Sequence, residues 1–403
     1  MTASAVITGI GALAPNGIGI EEYWSAVLHR RSGIRRITRF DPAGYPVRLG
    51  GAIDDLDETK HLPSRLLRQT DRTTQLALIA AEWAVADAAI DLETVPALRR
   101  GVVTANTAGG FEFGQRELEN LWSKGAQHVS AYQSFAWFYA VNTGQIAIHQ
   151  GMRGSSGVLV SDHAGGLDAL AQARRTIRRG AQCVISGGVD GSLCPWGWAN
   201  QLARGEMSEA EDPDRSYLPF QPNASGYIAG EGGAILFVED DEAARARGAR
   251  RYGEIAGFAH TFDPAPGLGR PPALRRAVEL ALADAQIGAG EVDVVFADAS
   301  GLREQDRVEA DAITDVFGAH GVPVTAPKTM TGRLGAGGAA LDVATALLAM
   351  RDGTIPPTSA SGDLAPGIDL DLVTSARPAN VRTALVLARG YGGFNSAMVV
   401  KAL

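Results

Sequence analysis

Residues 165–188 read GGLDALAQARRTIRRGAQCVISGG and decide the fold class. In the first part of this stretch, Leu167, Leu170 and Ile177 fall on one helical face, whereas arginines take the opposite face and the end. Gly180 then ends the helical pattern, and 183–188 is an apolar run of strand length. Because this strand is apolar throughout, we expect it to be covered on both faces, as in the sheets of α/β proteins.

The same alternation of helix and apolar strand runs along the whole chain, which predicts an α/β fold. The strand candidates are 5–8, 101–106, 157–161, 183–188, 234–239, 292–298, 383–389 and 397–403. A faint internal repeat accompanies them, since 165–173 and 337–346 both place Gly-Gly and Leu-Asp at a helix start. We therefore predict two similar halves, 1–250 and 251–403, which pack as one body because no linker composition separates them.

Composition excludes several classes of protein. The chain has 403 residues, and its 37 basic against 45 acidic side chains disfavour a nucleic-acid binder. The two cysteines, Cys183 and Cys194, have neither partner spacing nor a nearby histidine, so no metal site is expected. The N-terminus lacks a basic signal region, and no apolar run is long enough to span a bilayer, so we expect a cytoplasmic protein with no membrane partner.

Two glycine-rich segments resemble nucleotide-binding motifs but lack features that those motifs require. Residues 5–14, AVITGIGALA, resemble a dinucleotide fingerprint, but Pro15-Asn16-Gly17 interrupts before a helix can follow. We interpret this stretch as a strand over 5–8 followed by a tight turn. Residues 332–338, GRLGAGG, lack the lysine of a phosphate loop, and no G-x-S-x-G motif indicates a hydrolase. No cofactor is expected.

Three long segments resemble the β-ketoacyl synthase family of condensing enzymes. They are VITGIGALAPNGIGIEEYWSAVLHRRSGI (6–34), LPFQPNASGYIAGEGGAILFVE (218–239) and ARGYGGFNSAMVV (388–400). The resemblance implies the thiolase-like fold, in which two duplicated βαβαβαββ halves stack as α-β-α-β-α layers and the subunits form obligate dimers. The internal repeat agrees with that duplication.

In the family, an activated cysteine and two histidines carry out decarboxylative condensation, and this chain departs from the pattern at all three positions. The nucleophile motif resembles Gly-Cys-Thr-Ser-Gly-Leu-Asp, whereas 162–168 read DHAGGLD and place His163 at the nucleophile position. Aligned on the flanking motifs, the two histidine positions hold Asp298 and Arg333. Other family positions are retained, namely Asp306, Glu309 and Lys328.

These replacements predict that the chain performs no condensation by itself. An imidazole is a poor acyl carrier compared with a thiolate, and a charged Asp and Arg do not replace two neutral imidazoles. Since unpaired buried charges are costly, the resemblance implies that Asp298 and Arg333 pair across the degenerate site.

The degenerate pattern is similar to that of one subfamily, the chain-length factors of type II aromatic polyketide synthases. The runs that carry this similarity are 109–123, 135–148, 151–154, 163–170, 191–198 and 332–343. The resemblance implies an accessory subunit of a minimal polyketide synthase that is not an enzyme on its own. The acyltransferase activity would lie in its heterodimer with a ketosynthase alpha subunit, which acts on chains held by an acyl carrier protein. We expect strand 157–161 and the aromatic run 135–139 at the interface, although core packing explains 135–139 equally well.

The resemblance also implies a gate that closes the end of the product tunnel. It falls on Phe111, Gly114 and Leu118, which share one helical face, with Trp196 opposite. A glycine at the middle position suggests spare room, so we expect a long product, at the decaketide end or beyond.

Two other functions remain open from the sequence. His163 and Asp298 could form an imidazole–carboxylate pair that decarboxylates or hydrolyses acyl thioesters. Alternatively, the chain could act as a stand-alone scaffold for an acyl carrier protein. Members of the subfamily often carry Gln where this chain has His163, and that Gln is linked to priming by malonyl decarboxylation. For His163 itself, a structural, hydrogen-bonded role is favoured over that of a catalytic base.

Overall fold

The structure is a computed structural model that describes residues 3–265, 267, 269–360 and 362–403. Its strands are β1 (Ala5–Ala14), β2 (Gly17–Ile18), β3 (Ile34–Arg36), β4 (Leu49–Gly51), β5 (Arg100–Ala105), β6 (Ser156–Leu159), β7 (Cys183–Asp190), β8 (Gly232–Asp240), β9 (Gly253–Phe262), β10 (Val294–Phe296), β11 (Pro323–Thr325), β12 (Thr354–Ile355), β13 (Asp371–Leu372), β14 (Arg377–Pro378), β15 (Thr383–Gly390) and β16 (Phe394–Lys401). Its helices are α1 (Ile20–Leu28), α2 (Ser64–Gln69), α3 (Arg72–Ala88), α4 (Phe111–Lys124), α5 (Gln133–Ala136), α6 (Val141–His149), α7 (Gly165–Arg178), α8 (Pro195–Leu202), α9 (Asp241–Ala246), α10 (Leu274–Asp284), α11 (Arg303–Phe317) and α12 (Ala336–Asp352).

The main sheet repeats one strand pattern in the two halves of the chain. From the centre outward, the first half runs β1-β8-β7-β5-β6 and the second runs β9-β16-β15-β10-β11, with β13 beyond it. In each half the inner pairs are antiparallel and the outer pairs are parallel. The halves meet where Val6 and Ile7 of β1 pair with Glu254 and Gly253 of β9. The sheet therefore has the duplicated arrangement that the resemblance implied.

Helices cover both halves of the sheet and also fill the space between them. The central helices α7 and α12 share one core with strands of both halves, through residues such as Leu170 and Leu347. Helix α3 covers the outer face of the first half, where Leu76 belongs to the same core as Phe237. Helices α10 and α11 cover the outer face of the second half. This order of helix and sheet gives the predicted α-β-α-β-α layers.

The predicted end of the first strand was wrong. Strand β1 continues through the glycines to Ala14 instead of turning after residue 8. The reason is helix packing, because a Cβ on Gly9 would lie 2.0 Å from the carbonyl oxygen of Ala84 in α3. A Cβ on Gly11 would lie 1.9 Å from that of Ala80. The glycines therefore let α3 approach the strand, and no nucleotide-binding turn forms there.

The other apolar runs became strands near their predicted positions, but the sequence analysis missed β9. Its residues alternate between buried and partly exposed, and its C-terminal part ends in the polar stretch His260-Thr261. Such a strand has no continuous apolar run to mark it. No helix in the described part of the chain combines the length and apolar content needed to cross a bilayer.

Candidate functional site

His163, which the sequence predicts to occupy the nucleophile position, lies where a strand of the first half leads into a central helix. His163 occupies a single helical turn, Asp162–Ala164, directly before α7. A Cβ on Gly166 would lie 2.6 Å from the carbonyl oxygen of Ala336, so the glycine allows α7 and α12 to pack closely. This contact carries His163 into the interior, where it is 8% exposed.

The imidazole of His163 is neutral and only weakly held. Its Nδ1 lies 3.4 Å from the carbonyl oxygen of Gly335, which makes Nδ1 the protonated nitrogen. Its Nε2 has no hydrogen-bond partner among the described residues, and the ring meets Tyr227 edge-on with centroids 5.7 Å apart. Burial, followed by the positive charge of Arg333, lowers the pKa of His163 to about 4. A base this weak is poorly matched to proton abstraction at neutral pH.

Asp298 and Arg333 form a buried two-pronged ion pair. The Arg333 nitrogens Nη1 and Nη2 donate to Asp298 Oδ2 and Oδ1 at 3.1 and 2.8 Å. Burial would raise the pKa of Asp298, but the charges of Arg333 and Lys328 hold it below its ordinary value. The pair that the resemblance implied is therefore present, and both groups stay charged.

The Asp298 carboxylate is also bound by the backbone, which leaves it unavailable to His163. The Arg389 N–H donates to Asp298 Oδ1 at 2.9 Å. The carboxylate nearest to His163 Nε2 belongs instead to Asp162, whose Oδ2 lies 3.9 Å away. An imidazole–carboxylate pair of His163 with Asp298 is therefore not favoured.

Lys328 is held beside the ion pair rather than pointing into open space. Its Nζ donates to the carbonyl oxygen of Ala297 at 2.8 Å. The same atom lies 2.7 Å from Oδ2 of Asp342, which is buried in α12. Lys328 thus ties the loop that carries Asp298 to a central helix.

Asp306 and Glu309 bind the backbone of the loop that holds Asp298. Glu309 accepts the N–H groups of Asp298 and Ala299 at 2.6 and 2.8 Å. Asp306 accepts those of Phe220 and Gly301 at 2.9 and 3.0 Å. Burial raises the pKa of Asp306 to about 6, and burial together with the charge of Asp298 raises that of Glu309 to about 7. Both carboxyl groups thus hold the backbone that positions Asp298.

Sequence analysis missed a second ion pair, at the mouth of the site. Asp162 accepts both Nη atoms of Arg204, at 2.9 and 3.1 Å. It also accepts the backbone N–H of Tyr391 at 2.8 Å, and the Arg204 guanidinium lies over the Tyr391 ring. Asp162 holds this position with a φ of 52°, which non-glycine residues rarely adopt. The one sequence signal was its place directly before His163.

A cavity of about 360 Å³ lies against these groups. Its lining includes His163, Glu206, Arg333, Arg389 and Tyr391. No group of three or more His, Cys, Asp or Glu in the described part of the chain is arranged to hold a metal ion. The cavity thus combines one uncharged imidazole with arginines that are already paired with carboxylates.

The four proposed gate residues lie together, away from that cavity. Phe111 and Trp196 stack with ring centroids 4.7 Å apart. A Cβ on Gly114 would lie 3.0 Å from Cζ3 of Trp196. The indole therefore occupies the space beside Gly114 that we expected to be empty. Leu118, one turn further along α4, is 38% exposed. The missing side chain at Gly114 therefore makes room for Trp196 instead of leaving a void.

The surface around the gate is rich in exposed aromatic rings. Trp137, Phe138 and Tyr139 are each more than a third exposed, which places most of the run 135–139 at the surface and not in the core. Trp137 adjoins the gate, because its Cβ would lie 3.7 Å from a Cβ on Gly114. Strand β6 is the terminal strand of the sheet, and Val160 directly after it is 49% exposed.

Comparison with known proteins agrees with these observations. Residues 3–244 match the N-terminal domain of β-ketoacyl synthases, and 252–361 match the C-terminal domain. The chain is 58% identical to the tetracenomycin polyketide synthase ketoacyl synthase beta subunit of Streptomyces glaucescens, over 99% of this chain and 98% of the relative. The solved structure of the ishigamide ketosynthase/chain length factor is 28% identical, covers 100% of both chains and superposes with a TM-score of 0.91.

A second solved structure adds a bound partner. It contains a type II polyketide synthase acyl-carrier protein in complex with its ketosynthase bound to the hexaketide. It is 27% identical, covers 100% of both chains and has a TM-score of 0.90. With family matches along most of its length and a relative of this similarity, the chain belongs to the β-ketoacyl synthase family, in its group of polyketide synthase ketoacyl synthase beta subunits.

Proposed function

We propose that this chain is the non-catalytic subunit of a polyketide synthase heterodimer and sets the length of the polyketide that its partner builds. The observation that carries the proposal is the buried ion pair between Asp298 and Arg333. Aligned on the flanking motifs, it takes the two positions that we assign to the family's catalytic histidines. Its hydrogen bonds use the donors that an enolate oxygen would need.

The group at the nucleophile position supports the same conclusion. Condensation needs a thiolate to carry the growing acyl chain, whereas this position holds His163. The two cysteines are buried on other elements, and burial raises the pKa of Cys183 to about 12 and of Cys194 to about 11. A thiol with such a pKa stays protonated and is not nucleophilic at neutral pH.

A ketosynthase alpha subunit is the partner that fits the exposed surface. An uncovered terminal strand with unpaired backbone groups is a site for pairing with a second chain, and β6 is such a strand. The exposed aromatic rings of 137–139 are also typical of interfaces that are buried in an assembly. The acyl carrier protein is the second proposed partner, as in the related complex with the bound hexaketide.

Within this heterodimer, Phe111, Gly114, Leu118 and Trp196 would close the far end of the product tunnel. Leu118 and Trp196 are both about two-fifths exposed, as expected of residues that a partner covers. Leucine at 118 is smaller than an aromatic ring, which supports a long product. We further propose a cytoplasmic location and a boundary between the duplicated halves at 250/251.

The proposal is tested by reconstitution with and without the partner. We expect the purified chain to form no product from malonyl-loaded acyl carrier protein, and the heterodimer with an intact ketosynthase to form one. In the heterodimer, Gly114→Phe with Leu118→Phe should shorten the product by at least one two-carbon unit, read by mass spectrometry. Condensation by the isolated chain, or an unchanged product from an assembled double variant, would contradict the proposal.

A further inference from the structure

Trp196 at the start of α8 covers the part of α4 that contains Gly114. Its ring stacks on Phe111 with an interplanar angle of 12° and lies over Gly114. The residue is 42% exposed, so packing holds the ring only in part. A polar contact between α8 and α4 adds to that packing.

Gln115 provides that connection. Its side-chain Oε1 accepts the backbone N–H of Trp196 at 2.8 Å. This N–H lies in the first turn of α8, where amides have no partner within their own helix. The N-cap Cys194 accepts the next amide, that of Gly197, at 3.4 Å. The start of α8 is therefore capped from the neighbouring helix, one residue away from Gly114.

The orientation of the Gln115 amide group is fixed by a second contact. Its Nε2 donates to Oε1 of Glu119 at 2.8 Å, one turn further along α4. With the amide nitrogen directed to Glu119, the oxygen is directed to Trp196. Lys124, further along α4, is exposed and donates its Nζ to Oδ1 of Asn120 at 2.9 Å. It therefore serves as the control position on the same helix.

We propose that Gln115 is a positioning residue of the tunnel end, which holds Trp196 over Gly114 and thereby contributes to the choice of chain length. This inference rests on the proposed function of the gate. When the hydrogen bond is lost, the start of α8 is free to move away from α4, so the wall at Trp196 recedes and longer chains fit.

The test uses the assembled heterodimer with its ketosynthase and malonyl-loaded acyl carrier protein. Gln115→Met keeps the length and helix propensity of the side chain but offers only a weak acceptor. We expect the ratio of products that are at least one two-carbon unit longer to rise about twofold to tenfold, the range that one such hydrogen bond supports. Gln115→Glu combined with Glu119→Gln exchanges the two groups and keeps an acceptor oxygen for Trp196, so it should restore the wild-type ratio. Lys124→Met should leave the ratio unchanged.

A second measurement tests the contact between Gln115 and Trp196 independently of product formation. Hydrogen exchange of the segment 195–198 should be faster in Gln115→Met than in wild type or Lys124→Met. An unchanged product ratio in Gln115→Met, or equal shifts in Gln115→Met and in the exchanged pair, would overturn the inference. A Gln115→Met chain that fails to assemble beside a normal Lys124→Met complex would overturn it as well, because the residue would then serve folding.

The Gly114→Phe variant separates this inference from the proposal on which it rests. If Gly114→Phe changes the product length and Gln115→Met does not, only the role of Gln115 fails. If neither changes it in an assembled complex, the gate itself is misplaced.

Discussion

His163 shows how burial and a neighbouring positive charge decide whether a side chain can take part in proton transfer. In the folded chain its pKa is lowered to about 4 from an ordinary 6.5. The unfolded chain therefore binds a proton between these values while the folded chain does not. It follows that His163 contributes stability that is present above about pH 6.5 and is lost as the pH falls.

His163→Gln should remove this part of the pH dependence. Between about pH 7.5 and about pH 5, wild type should lose about 2 kcal/mol more of unfolding free energy than the variant does. The measurement is a urea titration at both pH values, with each chain in complex with the same ketosynthase. Equal losses in the two chains would mean that His163 is protonated in the folded state.

Removing only Arg333 from its ion pair with Asp298 should lower the unfolding free energy more than neutralising both residues. Arg333→Met leaves a buried carboxylate without its cation and should lower the unfolding free energy by about 3–5 kcal/mol. Adding Asp298→Asn removes the charge but keeps an oxygen for the Arg389 N–H, so the double variant should recover at least half of the loss. Urea titration measures both.

A surface pair provides the control for this prediction. Arg35 and Asp54 lie 3.0 Å apart with 41% and 29% of their side chains exposed. Arg35→Met should cost less than about 1 kcal/mol, because water screens such pairs. A double variant no more stable than Arg333→Met would show that the loss comes from packing and not from the unpaired charge.

At the level of elements, the contact between β1 and α3 depends on residues that have no side chain. A Cβ on Gly11 would lie 2.8 Å from the Ala80 carbonyl carbon and even closer to its oxygen. Gly11→Ala should therefore push α3 away from the sheet and lower the unfolding free energy by about 2–3 kcal/mol. Gly44→Ala, where nothing lies within 4 Å of the added carbon, should change it little. Thermal unfolding of both variants checks this, and a tolerated Gly11→Ala would mean that the helix has freedom to shift.

The sequence predicted elements well where burial left a continuous pattern. Strands such as β7 and β8 are buried along nearly their whole length, and each contains a run of mostly apolar residues. The end of β1 was predicted wrongly because its glycines serve a contact with a helix distant in sequence. Strand β9 was not predicted, because half-exposed strands contain polar residues as well as apolar ones.

For the site, motif spacing predicted that His163, Asp298 and Arg333 replace the catalytic residues, and the resemblance implied that the last two pair. Nothing in the sequence indicated that Arg204 would contact Asp162, since these residues come from separate elements. The space beside Gly114 was also misjudged, because the sequence does not show that Trp196 fills it. Contacts between distant segments depend on the packing of the whole chain.

At the scale of the whole molecule, the aromatic surface next to the gate is the strongest sign of a missing subunit. Replacing Trp137 and Phe138 together by serine should weaken association with the ketosynthase by at least about tenfold, as expected when central aromatic residues are lost from an interface. Affinity measured by titration, with circular dichroism to verify the fold, tests this. Leu403→Ser, which changes an exposed apolar residue at the C-terminus, should have no effect. Equal affinities for all three chains would place the interface elsewhere.

The buried ion pair also bears on the evolutionary history of this fold. A return to condensation chemistry would need a histidine at 298, a histidine at 333 and a cysteine at 163. Any path that changes 298 or 333 first leaves a lone charge in the interior, since the pair lies almost wholly out of solvent. Every such intermediate is less stable than its ancestor. Under the proposed non-catalytic role, the ion pair therefore acts against a return to condensation chemistry, and selection can refine the role of the subunit in the heterodimer.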